Sequence, residues 1–223
     1  TRKHRSWCFP INNFNMKAHT KETQELMTPE KALQELKNGN ERFVQKKQLK
    51  RDLMQQVAET SQGQFPYATV LCCIDSRVSS QLIFDQGIGD IFSISIAGNF
   101  VNEDILGSME FACKLAGTKL VLVLGHTACG AVKGACDHAR LGNLTSLIKK
   151  IEPAVAAVKE PQEEELRNSS NSDFVDAVAA QNVKMTIENI RSRSEVLKAM
   201  EDEGAIQIKG AMYDIKTGKV HIY

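Results

Sequence analysis

The chain has 223 residues, enough for one sizeable domain or two small ones. With 42% hydrophobic residues, 25% charged residues and a net charge of +1, its composition is that of a soluble globular protein, and it gives no global electrostatic support for a nucleic-acid or anionic-membrane partner. No apolar run approaches the ~20 residues needed to span a bilayer, and six cysteines are too sparse for a disulfide scaffold, which points to reduced thiols or metal ligation.

In chain order, residues 1–20 carry Arg2, Lys3, Arg5 and Lys17, no acid, and no apolar core of the length a secretory signal needs. Residues 1–27 are therefore set apart as an N-terminal arm or leader remnant. That leaves the compartment open between the cytoplasm and, if a presequence has been removed, a periplasm or organelle. Thr28-Pro29-Glu30 reads as a helix N-cap, a first-turn proline and a first-turn acid, followed by Leu33, Leu36, Phe43 and Val44 at helical spacing. The run "YATVLC" (67–72) has strand length, as does "IFSISIAG" (91–98). Residues 103–117 read as a helix ending at Gly117, and "KLVLVLG" (119–125) as a third strand, apolar on both faces. Helices are expected over 128–142 and from Asn143 onward, then an acidic surface loop over 159–173 and a long helix to about Gly204. A strand inside 205–214, a "KTGK" turn and a hairpin partner at 220–223 close the chain.

Strands without a polar face, separated by helices, predict an α/β fold. Its central sheet is mostly parallel and flanked by helices, with an N-terminal helical arm and a C-terminal antiparallel hairpin. Residues 28–223 read as a single domain.

Two stretches carry chemistry. The first strand runs into "CIDSR" (73–77), and the third into "GHTACGAVKG" (125–134). Ligands gather at the carboxyl ends of strands in open α/β sheets, so Cys73, Asp75 and Arg77 would face the same crevice as His126 and Cys129. The last two are three residues apart, which on a helical turn puts their side chains on one side. Cys136 lies too far along a helix to join them, and His138 reads as surface. Two thiolates and one imidazole suit zinc rather than a hard cation, and three protein ligands with a fourth position free is the arrangement of a catalytic zinc. The alternative is two core cysteines and a satisfied histidine.

These two motifs together resemble the β-class carbonic anhydrase family. The resemblance extends to "FDQGIGDIFSISIAGN" (84–99) and "IKGAMYDIKTGKV" (208–220), and covers roughly residues 28–223. It implies one zinc per chain on Cys73, His126 and Cys129, and an Asp75–Arg77 dyad. It also implies a substrate pocket involving Gln64, Phe92, Ala97, Phe111 and Gly130. The implied activity is reversible hydration of carbon dioxide to bicarbonate and a proton through zinc-bound hydroxide. In family members the glutamine and the aromatic wall come from the neighbouring subunit, which implies a homodimer or homotetramer with active sites at the subunit interface. Ala97 and Phe111 replace a pocket valine and tyrosine of plant-type members, and Ser95 stands where many members have arginine. Two alternatives share the zinc ligands: a carbon disulfide or carbonyl sulfide hydrolase, and a non-enzymatic zinc protein. Asp75 has two possible positions, on the metal or paired with Arg77.

Overall fold

The structure is a computed structural model that describes residues 17–223; the basic stretch at 1–16, most of the arm set apart above, lies outside the described residues. The elements run α1 (Lys21–Glu25), α2 (Pro29–Val44), α3 (Leu53–Thr60), β1 (Ala68–Cys72), α4 (Ser80–Ile83), β2 (Ile91–Ser95), α5 (Glu103–Glu110), β3 (Leu120–His126) and α6 (Gly130–Cys136). After them come α7 (Leu144–Ile148), α8 (Glu152–Ala157), α9 (Ser172–Arg193), α10 (Glu195–Asp202), β4 (Gln207–Tyr213) and β5 (Val220–Ile222).

The five strands form one sheet in the order β2-β1-β3-β4-β5, parallel except for the β4–β5 hairpin. This is the expected α/β architecture. Every residue of β1 and β3 is buried, because each strand has a neighbour on both sides and helices on both faces. Each fully buried valine or leucine there contributes about 1.5–3 kcal/mol relative to an exposed one. β2 departs from the expectation of strands without a polar face. It is an edge strand, and Ser93 and Ser95 are exposed.

Local chemistry sets the helix ends. Thr28 caps α2, accepting from the Lys31 amide at 3.3 Å, with Pro29 in the first turn. The helix expected over 103–117 ends differently: α5 passes into a single π turn, Phe111–Leu115, before Gly117 turns the chain at φ +82°. The long helix expected to reach Gly204 is two helices. Ser194 is extended and its hydroxyl accepts from the Leu197 amide at 3.2 Å, capping α10. The helix from Asn143 is likewise two short ones, α7 and α8, with Pro153 in the first turn of the second. α3 has no counterpart in the sequence reading. Its large apolar residues Leu53, Met54 and Val57 are exposed, so no core-facing stripe marks it.

α9 is the central helix of one face. Its buried residues Phe174, Val175, Val178 and Ala179 pack in one cluster with Cys73, Cys129 and Val132, and Val183 and Ile190 pack with Val121, Val123 and Ile208. Gly125 allows its approach to β3: a Cβ there would lie 2.6 Å from Val183 Cγ2 and 2.7 Å from Met212 Sδ. Among the described residues no helix is long and apolar enough to cross a membrane.

Candidate metal centre

β1 and β3 are adjacent and parallel, with Cys72 level with Leu124. The connection after β1 leads toward β2 and that after β3 toward β4, so their carboxyl ends flank the point where a parallel sheet opens a crevice. Cys73 is the first residue past β1, and His126 the last of β3. The chain then turns through Thr127 and Ala128, the latter left-handed at φ +53°, and Cys129 occupies the N-cap position of α6. Cys129 therefore returns toward His126 through a tight turn, not along the helical turn that the spacing predicts.

The Sγ atoms of Cys73 and Cys129 are 3.9 Å apart, and these two and a His126 ring nitrogen all lie within 4.8 Å of one another. All three residues are buried, His126 completely. Two sulfurs held ~2.3 Å from one tetrahedral ion lie ~3.8 Å apart, so the spacing fits such an ion without movement. The histidine fits as well. Its Nδ1 is 2.9 Å from the Thr127 carbonyl, which as acceptor places the proton on Nδ1 and the lone pair on Nε2. Nε2 is buried and, among the described residues, has no hydrogen-bond partner, which is costly for a polar atom unless a ligand completes it.

The sulfurs are electrostatically unlike. The Cys73 thiol is lowered from its ordinary value, first because its thiolate accepts from the Cys129 thiol, then by the adjacent His126 ring and by the amides of Gly98 and Asp75, against the opposing effect of burial. The Gly98 amide lies 3.4 Å from Cys73 Sγ. Cys129 is raised, first by that same sharing with Cys73 and then by burial. One proton is thus held between two sulfurs, and a bound cation would release it.

Asp75 stands beside this group. Its carboxylate accepts from Arg77 Nε at 2.8 Å, Nη2 at 2.7 Å and the Arg77 amide at 3.0 Å. The Arg77 guanidinium holds its carboxyl down at about 2. Asp75 Oδ2 is 3.9 Å from His126 Nε2, beyond hydrogen-bond reach.

The remaining expected site residues divide. Ala97, half-buried, precedes the Gly98 amide, and Gly130 follows Cys129, with no atom within 4 Å of where its Cβ would be. Gln64, Phe92 and Phe111 lie elsewhere. Gln64 is exposed at the amino end of β1, with the whole strand, ~17 Å at ~3.3 Å per residue, between it and Cys73. Phe92 is level with Thr69, and its ring meets Phe111 edge-on at 6.2 Å between centroids. The two rings line a groove of about 800 Å³ along the β2 edge, together with Ser93, Ser95, Glu103 and Asp104, and no residue of the sulfur group lines it. Ser95 Oγ meets Cys72 Sγ at 3.4 Å.

Cys136 and Cys113 are buried outside the donor group, and burial pushes each thiol up to about 11. His138 is exposed near Glu152. Sequence reasoning missed four groups at the site: the Gly98 amide, the Thr127 carbonyl, and two side chains of α9. Asp176 Oδ1 accepts from the Ala128 amide at 2.7 Å, and Asn182 Nδ2 donates to the Gly98 carbonyl at 2.7 Å.

The family model for carbonic anhydrase matches residues 68–220. A carbonic anhydrase of Mycolicibacterium smegmatis is 32% identical over 200 residues, covering 87% of this chain and 93% of that one. Among solved structures, the β-carbonic anhydrase CcaA superposes with a TM-score of 0.67 at 26% identity, over 91% of this chain and 95% of that one. The β-carbonic anhydrase CafA of Aspergillus fumigatus superposes with a TM-score of 0.64 at 28% identity, over 75% and 79%.

Proposed function

The chain belongs to the β-class carbonic anhydrase family of enzymes, and from that premise we propose that it catalyses the reversible hydration of carbon dioxide to bicarbonate and a proton, with one zinc per chain held by Cys73, His126 and Cys129. The observation that carries this reading is the buried donor group itself, two sulfurs at tetrahedral spacing and an imidazole nitrogen with no hydrogen-bond partner among the described residues. Zinc there would supply a Lewis acid that makes water a nucleophile near neutral pH.

The chain's own residues supply the rest. Thr127, through its carbonyl, holds the His126 tautomer that leaves Nε2 free. The Gly98 and Asp75 amides stabilise Cys73 as thiolate. Arg77, in a two-pronged hydrogen-bonded pair, turns the Asp75 carboxylate toward itself and keeps it off the metal position. Because that carboxyl ionises at about 2, it is a hydrogen-bond acceptor throughout the neutral range and can hold a proton of the attacking water in line. Ala97 and Gly130 leave room for a small linear substrate beside Cys129.

The placement of Gln64, Phe92 and Phe111 supports a composite site. A glutamine side chain at the amino end of β1 does not span the strand to its own Cys73, so these three residues serve a second copy, and the working form is a homo-oligomer. Residues 28–223 act in this reading as one domain.

The test is stopped-flow hydration of carbon dioxide on protein verified to contain one zinc per chain, from pH 6 to 9, with carbon disulfide and carbonyl sulfide as parallel substrates. A hydration rate that rises with pH is expected. Turnover of the sulfur compounds alone would make the chain a sister hydrolase, and no turnover with zinc bound would make the site structural.

A further inference from the structure

The two hydrogen bonds from α9 reach the two halves of the donor group separately. Asp176 holds the amide of Ala128, the left-handed residue through which the chain turns from His126 to Cys129. Asn182, buried, holds the carbonyl of Gly98, which is left-handed at φ +79° and whose amide donates to Cys73. Residues 176 and 182 are six apart, under two turns of one helix, and each side chain reaches a different donor loop. Between and around them the same helix is clamped by Phe174, Val178, Ala179 and Val183, all buried, and by its close approach to Gly125.

We propose that Asp176 and Asn182 are positioning residues for the metal centre: one rigid helix sets the spacing of the sulfurs by holding both donor loops at once. The two turns are held differently: the Gly98 turn closes on its own backbone bond, from the Asn99 amide to the Ile96 carbonyl at 3.0 Å, whereas the Ala128 turn depends on α9. A non-glycine residue at positive φ is disfavoured unless its surroundings fix it, and the fixing contact at Ala128 is the Asp176 carboxylate. At Gly98 the restraint matters for direction. The peptide plane pinned by Asn182 adjoins the one whose N–H points at Cys73, so releasing the carbonyl releases the aim of that amide. Groups that orient metal ligands without touching the metal typically account for about 10- to 100-fold in metal affinity. The proposal rests on the zinc reading above and assigns to it residues outside the two ligand motifs.

The test measures zinc affinity by chelator competition together with thermal melting of the metal-free chain. Asp176→Ala and Asn182→Asp are each expected to weaken zinc binding by about 10- to 100-fold. In the second, a carboxylate cannot donate to the Gly98 carbonyl. Asp176→Asn keeps an acceptor oxygen and should bind zinc close to wild type. Asn40→Ala is the control. Asn40 is also buried and also holds two distant carbonyls, Ile83 at 3.1 Å and Gly218 at 2.9 Å, so its loss should lower the melting temperature and leave zinc affinity unchanged. Wild-type affinity in Asp176→Ala, or equal losses in Asp176→Asn or Asn40→Ala, would overturn the proposal. If Asn182→Asp does not fold, the half-exposed Asp176 pair decides alone. Failure of the wild-type chain to bind zinc would instead remove the metal reading.

Discussion

The carboxyl end of the sheet and its β2 edge bury their chemistry to different degrees. At the carboxyl end, Cys73, His126 and Cys129 are buried, their loops are hydrogen-bonded to α9 and to β4, and the donors already stand at metal-binding spacing. Along β2, Ser93 and Ser95 are exposed, Phe111 is 50% exposed, and among the described residues no strand pairs with the outer edge, which lies beside a pair of aromatic rings. An aromatic pair beside an open strand edge gains most from a covering surface. In the composite-site proposal, the difference separates what one chain completes, the donor set, from what it would only contribute, the wall of a site that a second copy would finish.

The largest expected effect is at the completed end. Cys129→Ala should lower zinc affinity by more than about 100-fold, since even the groups that merely orient ligands account for up to about that much. Cys136→Ala and Cys113→Ala should keep full zinc, as measured by metal analysis after dialysis. An empty site in Cys136→Ala would mean that the donor set is wrong.

Next comes the dyad. Asp75→Asn and Arg77→Ala should each retain zinc and lose about 100-fold or more in kcat/KM, the lower end of what a positioned proton-handling group contributes. Full activity in both variants would confine the site's chemistry to the metal donors.

The comparison itself is sharpened by mixing subunits. Cys129→Ala alone and Phe92→Ala combined with Gln64→Ala should each be nearly inactive. Refolded together in equal amounts, they should recover about a quarter of wild-type activity, because half of the dimers carry one intact composite site. A mixture no more active than the sum of its parts would place the whole site in one chain.

The smallest effect is on stability. Arg77 lowers the Asp75 carboxyl to about 2 in the folded chain, so pairing stabilises the fold above the ordinary carboxylate range and is lost as pH falls toward about 2. The difference in urea midpoint between wild type and Arg77→Ala should be small, because Arg77 is exposed. It should also be largest near neutrality and shrink below pH about 4. A difference that widens in acid would contradict the pairing.

Much of this was legible in the residues. Residues 67–72 and 120–125 are buried throughout, because a strand covered on both faces admits a polar side chain only where a partner satisfies it, as Thr118 does Thr69, and Thr28-Pro29 marked a helix start to the residue. The donor types at the ends of two parallel strands were readable because strand ends share one edge. Other features were not readable. Ser194 breaks a helix whose hydrophobic pattern continues across it, and α3 carries its large apolar residues outward, so periodicity misleads at both places.

The sequence by itself determined the composition of the site, the class of fold and the edge of the sheet where thiols and imidazole would meet, since each depends on residue type and short-range spacing. Tertiary structure alone decided three further things: the left-handed turn at Ala128 that swings Cys129 back toward His126, the hold of Asp176 and Asn182 on both donor loops, and the separation of Gln64 and Phe92 from the sulfurs of their own chain. Each of these is a contact or a distance between segments far apart along the chain. Such contacts are fixed by how α9 packs against the sheet and by which strand occupies its edge, and no local pattern of residues encodes either.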